Sequence, residues 1–332
     1  MMNRLSLTIA ALLGCLSSFA VDANTVEIVY NGSTASITIA DNISSYVSVT
    51  SGTSSHVTLI QDAAFAGINP TVDNEDGEII YVLSGNSTDG SFLMEGAFKA
   101  TVELNGLTLT NPAGPAIAVM NGKRIEVSAK KATVNTLTDG ANADYNGCFH
   151  CKGHTKFKGK GTLNIVGNSK HAVYSKEYIE VKNLTLNVTG AVKDGIHCKE
   201  YFLMESGNVS ISGAQDDGIQ VELDGLASTG ETIGHEDEDS GNFYMAAGTL
   251  TISNYQGKAI KAAGTISYSG GTQNFDKTDT EENATAIATI KNGSREGVTE
   301  IFDLSGRRLS STPKHGIVIV KKDGKTTRQV VK

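Results

Sequence analysis

Short stretches of alternating apolar and polar residues, cut by Gly, Asn or Asp, run through almost the whole chain. Gly161-Thr-Leu-Asn-Ile165, Leu184-Thr-Leu-Asn-Val188, Asn208-Val-Ser-Ile211 and Gly248-Thr-Leu-Thr-Ile252 each place apolar side chains on one face at period 2. That is the pattern of a half-buried strand. Nothing between them has the length or the 3.6-residue period of an amphipathic helix.

The strands recur at a fixed interval. Aligning the middle of the chain brings Ile117, Phe149, Val173, Ile196, Ile219 and Ile260 into one column, at spacings of 32, 24, 23, 23 and 41 residues. The last spacing is one period plus 18 residues, the length of the charged segment Leu223 to Ser240. A repeat of about 23 residues made of two or three short strands predicts one coil of a parallel β-helix, with successive coils about 4.8 Å apart. A leucine-rich repeat of similar length needs a Leu and Asn pattern that is absent here, and a propeller blade is about twice as long. The expected fold class is therefore all-β, a parallel β-helix over 24–272 followed by a small C-terminal β-module over 298–332. Residues 24 to about 110 are expected to form a cap and irregular first coils, with the Asn74-Glu75-Asp76-Gly77 turn leading into the solenoid. The Thr-, Asp- and Glu-rich stretch 273–297 reads as a linker.

The register sorts side chains into columns. Two residues after each anchor stand Val119, Cys151, Ser175, Cys198, Val221 and Ala262, small or apolar and expected inside. One residue after the anchor, facing out, stand Ala118, His150, Tyr174, His197, Gln220 and Lys261; three after it stand Met120, Lys152, Lys176, Lys199, Glu222 and Ala263. These columns are either an ordinary solvated sheet face or a flat strip suited to an extended acidic polymer. On the second view His150, Lys152, Tyr174, Lys176, His197, Lys199, Gln220 and Glu222 are the candidate ligand-binding residues. Before the anchors lie His171, Asp194, Asp217 and Lys258, with Asp216 beside Asp217. Asp-Gly is ordinary turn chemistry. Carboxylates stacked one coil apart repel unless a cation sits between them, and Ca²⁺ accepts such oxygens. Asp194, Asp216 and Asp217, with Asp139 of Leu137-Thr-Asp-Gly140, are the candidate calcium ligands. The acidic run Glu236-Asp-Glu-Asp239 lacks the spacing of a defined calcium loop.

Composition and charge narrow the classes. With 39% hydrophobic residues among 332, the chain is too apolar for disorder. A net charge of −8 argues against a nucleic-acid partner. The charge is uneven: residues 300–332 hold eight Lys/Arg against three Asp/Glu, the rest twenty against thirty-three, which marks the tail as a separate module. Met1 to Ala20 has Arg4, an apolar stretch from Leu5 to Leu16 and Ser18-Phe19-Ala20, the order of a secretory signal; Leu12-Leu13-Gly14-Cys15 could instead serve as a lipoprotein box. Either leader exports the protein. The remaining cysteines, Cys148, Cys151 and Cys198, give no complete disulfide framework. Cys148-Phe149-His150-Cys151 with His197-Cys198 has the residues of a zinc site, but their repeat positions predict buried thiols. No Ser-His-Asp order, phosphate loop or dinucleotide fingerprint is present.

Leu137-Thr-Asp-Gly140, Lys170-His-Ala-Val-Tyr-Ser-Lys176, Lys193-Asp-Gly-Ile-His-Cys-Lys199 and Asp216-Asp-Gly-Ile219 together resemble the secreted carbohydrate-binding domain family of right-handed parallel β-helices. The resemblance covers roughly Asn24 to Gly271. It implies binding of cellulose or polygalacturonate, bound calcium and a likeness to pectate lyases. Gly257-Lys-Ala-Ile260 departs from the pattern, since the family has an acidic residue before this anchor. Glu300-Ile-Phe-Asp-Leu-Ser-Gly-Arg-Arg308, His315-Gly-Ile-Val-Ile-Val320 and Gln329-Val-Val-Lys332 resemble the type IX secretion sorting domain. The residues themselves read as three short strands with a basic turn, and the resemblance implies a small β-module that directs export to the surface of a Gram-negative cell, with attachment at the outer membrane. The expectation is a monomeric, non-catalytic polysaccharide-binding protein. The alternatives are a calcium-dependent lyase acting on uronates, with Lys176, Lys199 or Lys261 as base, and a purely structural surface solenoid or adhesin.

Overall fold

The computed structural model describes residues 21–65, 78–141, 144–225, 238–277, 279–283, 299–302, 308–309, 316–322 and 325–331. The expected leader, the Asn74–Gly77 turn and most of the 223–240 insertion and of the linker lie outside them. The chain divides into two compact units, 1–285 and 286–332.

The first unit is a parallel β-helix with three strands per coil. In one coil these are Gly147–Cys151, Thr155–Gly159 and Thr162–Gly167; in the next, His171–Ser175, Ile179–Lys182 and Thr185–Ala191. The first strand of every coil joins a nine-stranded sheet, called here the ladder sheet, and the other two form the two arms of a sixteen-stranded sheet. The arms meet in the 12-residue strand Ala100–Asn111, which pairs at its start with Ile125–Ala129 and at its end with Val134–Asp139.

The 23-residue arithmetic is the hydrogen-bonded register. Phe149 lies opposite Ile117 and Val173, Ile196 opposite Val173 and Ile219, and Ile219 opposite Ile260. These anchors are fully buried, as are Val119, Cys151, Ser175, Cys198 and Ala262 of the inward column. Packing of equivalent side chains from coil to coil supplies most of the stability such a solenoid has. The three cysteines are free and buried, and burial pushes the Cys151 thiol up to about 11. Cys148 shares its position with Ala116, Ala172 and Ala259, all fully buried, so it acts as a small core residue.

Residues in the left-handed region turn the corner between the two arms: Ala132, Gly159, Asn183, Gly207, Gly248 and Gly271. At Gly248 a Cβ would sit 2.3 Å from the Gly207 carbonyl oxygen, so both the backbone angle and the close coil approach require glycine.

The N-terminal section mixes pairings, as expected of a cap. Thr25–Asn31 runs antiparallel to Thr34–Ile39 and parallel to Ile79–Ser87. One boundary and one strand count differ from the sequence expectation. The strand Thr272–Phe275 pairs with Thr249–Ser253, and Glu281 bridges to Lys261, so the coil continues past residue 272. Its inward positions are less apolar than those of earlier coils, which is why the alternation looked lost. Among the described residues the C-terminal unit has four strands rather than three: Arg308–Leu309, Thr299–Phe302, Gly316–Lys322 and Lys325–Val331, in that spatial order and all antiparallel.

Candidate functional site

The outward column of the ladder sheet assembles in the expected order. His150 is opposite Tyr174, Tyr174 opposite His197, His197 opposite Gln220 and Gln220 opposite Lys261. One coil spacing is close to aromatic stacking distance, so the rings pile on each other. His150 and Tyr174 stack at 5.1 Å and 18°, Tyr174 and His197 at 5.5 Å and 20°, and Tyr145 closes the row edge-on against His150 at 5.2 Å. The stacking corrects one expectation. His150 and His197 point outward but are only 9% and 8% exposed, because each ring is packed against neighbouring rings of the row and corner. Ring edges, not faces, are left for a ligand. Burial, with the charge of Lys170 nearby, drops His150 to about 4, and its Nδ1 accepts the Asn146 amide at 3.2 Å.

Beside this row runs the corner column of His171, Asp194 and Asp217. Asp194 Oδ2 lies 3.1 Å from His171 Nδ1 and 2.9 Å from His197 Nδ1, while Oδ1 accepts the Asp217 amide at 3.0 Å. Asp217 Oδ1 in turn accepts the Lys258 amide at 2.6 Å. Each carboxylate thus caps the next coil, which offsets part of the repulsion between them. Burial alone would raise the Asp194 carboxyl, but the hydrogen bonds and charge of the two histidines outweigh it and hold it well below the usual range. His197 shows the reverse balance: burial lowers it, yet Asp194 and Glu222 raise it overall. His171 is lowered, chiefly by burial and despite Asp194. The two histidines on Asp194 are thus shifted in opposite directions, His197 up and His171 down.

The expected calcium ligands converge in part. Oxygens of Asp194, Asp216 and Asp217 lie within 4.8 Å of one another. Asp217 Oδ2 is buried without a hydrogen-bond partner, and burial, then the neighbouring Asp194 carboxylate, raise this carboxyl. Gly257 keeps the space open, since a Cβ there would meet Asp217 Oδ1 at 2.3 Å and Asp216 Oδ1 at 2.9 Å. Three carboxylates gathered at one corner, one of them with a buried oxygen outside any hydrogen bond, fit a hard, oxygen-binding cation. Lys261 Nζ, 3.5 Å from that oxygen, closes the upper end of the column, where Lys258 replaces an acidic residue. Asp139 is not in this group; it accepts the Asn168 amide, and burial raises it to about 6.

The lysines separate into tied and untied. Lys199 Nζ bonds Asp224 Oδ1 at 3.1 Å and Lys261 faces Asp217, and in each the carboxylate outweighs burial and raises the pKa. A lyase base needs the opposite shift, so neither is poised for that role. Lys152 is exposed and Lys176 half-buried, and among the described residues neither is in an ion pair. Gln220 Nε2 donates to Glu222 Oε1 at 2.8 Å, and Glu222 Oε2 lies 3.6 Å from His197 Nε2.

Two groupings lay beyond the columns followed in the sequence. His154, Glu177 and Glu200 gather at the corner after the ladder strand. Their spacing of 23 and 23 residues was the available signal. On the first arm, Glu126, Lys156 and Glu180 stand in register, and Lys158 pairs with Glu126 and Lys182 with Glu205. These line a cleft of about 470 Å³. Exposed pairs of this kind each contribute little.

Residues 67–304 match the family of carbohydrate-binding domain-containing proteins. The chain belongs to that family. A solved structure, the gadolinium derivative of a polysaccharide lyase-like protein from C. thermocellum, is similar with a TM-score of 0.53 and 18% identity, over 78% of this chain and 99% of its own. At that identity the likeness concerns the fold, and it agrees with the stacked parallel sheets described above. No curated protein matches this chain. Family membership supports carbohydrate as the ligand class.

Proposed function

We propose that this protein binds an acidic polysaccharide along the ladder sheet without cleaving it, with Ca²⁺ at the Asp194, Asp216 and Asp217 corner. The observation that carries the proposal is the row of stacked His150, Tyr174 and His197 rings beside two untied cations, Lys152 and Lys176. Ring edges present N–H and O–H groups at one coil spacing, about 4.8 Å, close to the rise of one sugar. Covered ring faces leave little for a flat cellulose-like chain, whereas ring edges and lysines suit hydroxyls and carboxylates. Calcium held by Asp216 and Asp217 would neutralise the corner and bridge to uronate carboxylates; no other residue chemistry here needs it. The leader and the basic tail make export and surface retention part of the same proposal.

Electrophoresis through gels containing polygalacturonate or a neutral glucan tests it. Retardation by polygalacturonate, reduced by a calcium chelator, is expected, with no unsaturated uronide released. Equal mobility in both gels would contradict acidic recognition. Release of unsaturated product would make the protein a lyase.

A further inference from the structure

His154, Glu177 and Glu200 belong neither to the ring row nor to the aspartate corner. Both carboxylates converge on one atom: His154 Nε2 is 2.8 Å from Glu177 Oε2 and 3.3 Å from Glu200 Oε2. The three side chains are 11%, 17% and 16% exposed, so the cluster is sheltered but still reached by water. Its parts are held in place from behind. The His154 ring stacks on Tyr178 at 4.1 Å and 17°, and Tyr178 stacks on Tyr201 at 4.7 Å. Glu200 Oε2 also accepts the Tyr178 amide at 3.3 Å. Glu177 and Glu200 are equivalent residues of successive coils, so their like charges are stacked. Even a protonated His154 leaves two carboxylates against one cation, an excess of one negative charge.

Geometry and donor type decide which cation would fit here. A tetrahedral ion with bonds of about 2.0–2.1 Å has ligand-to-ligand edges of about 3.3–3.4 Å. The His154–Glu200 distance already has that value, and the His154–Glu177 distance needs to open by about 0.5 Å. Calcium takes six to eight oxygens and has no use for an imidazole. One nitrogen and two carboxylate oxygens suit zinc, whose three-ligand sites keep a fourth position for water.

We propose that His154, Glu177 and Glu200 form a site for a divalent ion of the zinc class, with water as fourth ligand, at the corner beyond the ladder sheet. The ion sits between Nε2 and the two carboxylates in place of the contacts that link them, and it joins three coils. The site shares no residue with the aspartate corner, so it stands or falls separately from the calcium proposal.

The test uses the full chain, stripped with chelator and titrated with zinc chloride by calorimetry in excess calcium. One zinc per chain is expected. Glu177→Gln and Glu200→Gln should each weaken it by about 100-fold or more, the upper end of what losing even an outer-sphere partner costs. Asp194→Asn should leave it unchanged. No zinc uptake, or uptake that survives both glutamine substitutions, would overturn the site, as would loss in Asp194→Asn alone. X-ray absorption of the zinc-loaded parent needs no variant: one imidazole among oxygen ligands is expected, and a shell without imidazole overturns the assignment.

Discussion

At the scale of single residues, Asp194 does the most. Its two oxygens contact His171, His197 and the Asp217 amide, which come from three successive coils. Removing one partner of a buried charged network strands the others. Asp194→Ala should therefore cost about 3–5 kcal/mol, seen as a lower denaturation midpoint. Two other histidines set the pH range of stability. Folding depresses His150 to about 4, so its contribution is full above the unfolded value of about 6.5 and lost as pH falls toward 4. Although burial opposes it, pairing with Glu177 and Glu200 lifts His154 to about 9; its contribution is full below about 6.5 and lost as pH rises toward 9. Each effect is on the order of 3 kcal/mol at most. Melting temperature in chelator-treated protein should peak near pH 6.5, and His154→Gln should flatten only the alkaline side. An unchanged alkaline slope in that variant would show that the pairing adds nothing to stability.

At the scale of strands and corners, the ladder was legible because a β-helix repeats its register in its sequence. The anchors from Ile117 to Ile260 and the small inward column needed only counting. Ring burial was not legible, because an outward position is normally exposed; one coil spacing happens to let His150, Tyr174 and His197 cover one another. His154 was hidden by a slip in phase: the spacing from Phe149 to Val173 is 24, so it falls one place away from Glu177 when measured from the anchors. Lys199 looked equivalent to Lys176, but its partner Asp224 enters from the inserted segment, which has no counterpart in other coils. Asn135 was equally unforeseen. It occupies the buried place of Leu163 in the next coil, yet its Oδ1 accepts the Gly106 and Leu107 amides, both at 2.9 Å, where the long strand Ala100–Asn111 bends. Asn135→Leu restores the apolar column but orphans two amides, so a loss of about 2–5 kcal/mol is expected by chemical denaturation. A loss below about 1 kcal/mol would mean that water reaches the bend. Gly248→Ala should also destabilise, by at least the 1–3 kcal/mol of a strained backbone position, since its Cβ would strike Gly207 of the preceding coil.

At the scale of the molecule, an acidic body is proposed to hold an acidic polymer, so local groups must overcome the overall field. Two features favour that outcome. Lys152 and Lys176 keep their charge unpaired among the described residues, and a cation at the aspartate corner would remove the nearest negative charge. Calcium binding to the folded state alone should raise stability by about 2.7 kcal/mol at a hundredfold excess over Kd. An unchanged melting temperature across a calcium titration would argue against that ion. The central claim is that the polysaccharide lies along the ladder sheet, and affinity electrophoresis in polygalacturonate reads it most directly. The Lys152→Ala/Lys176→Ala double variant should lose most of the parent's retardation, while Lys156→Ala/Lys158→Ala on the first arm, which removes the same charge, should keep it. Equal loss in both variants would mean that net charge alone governs binding, and full retention in the first would place the ligand on another face.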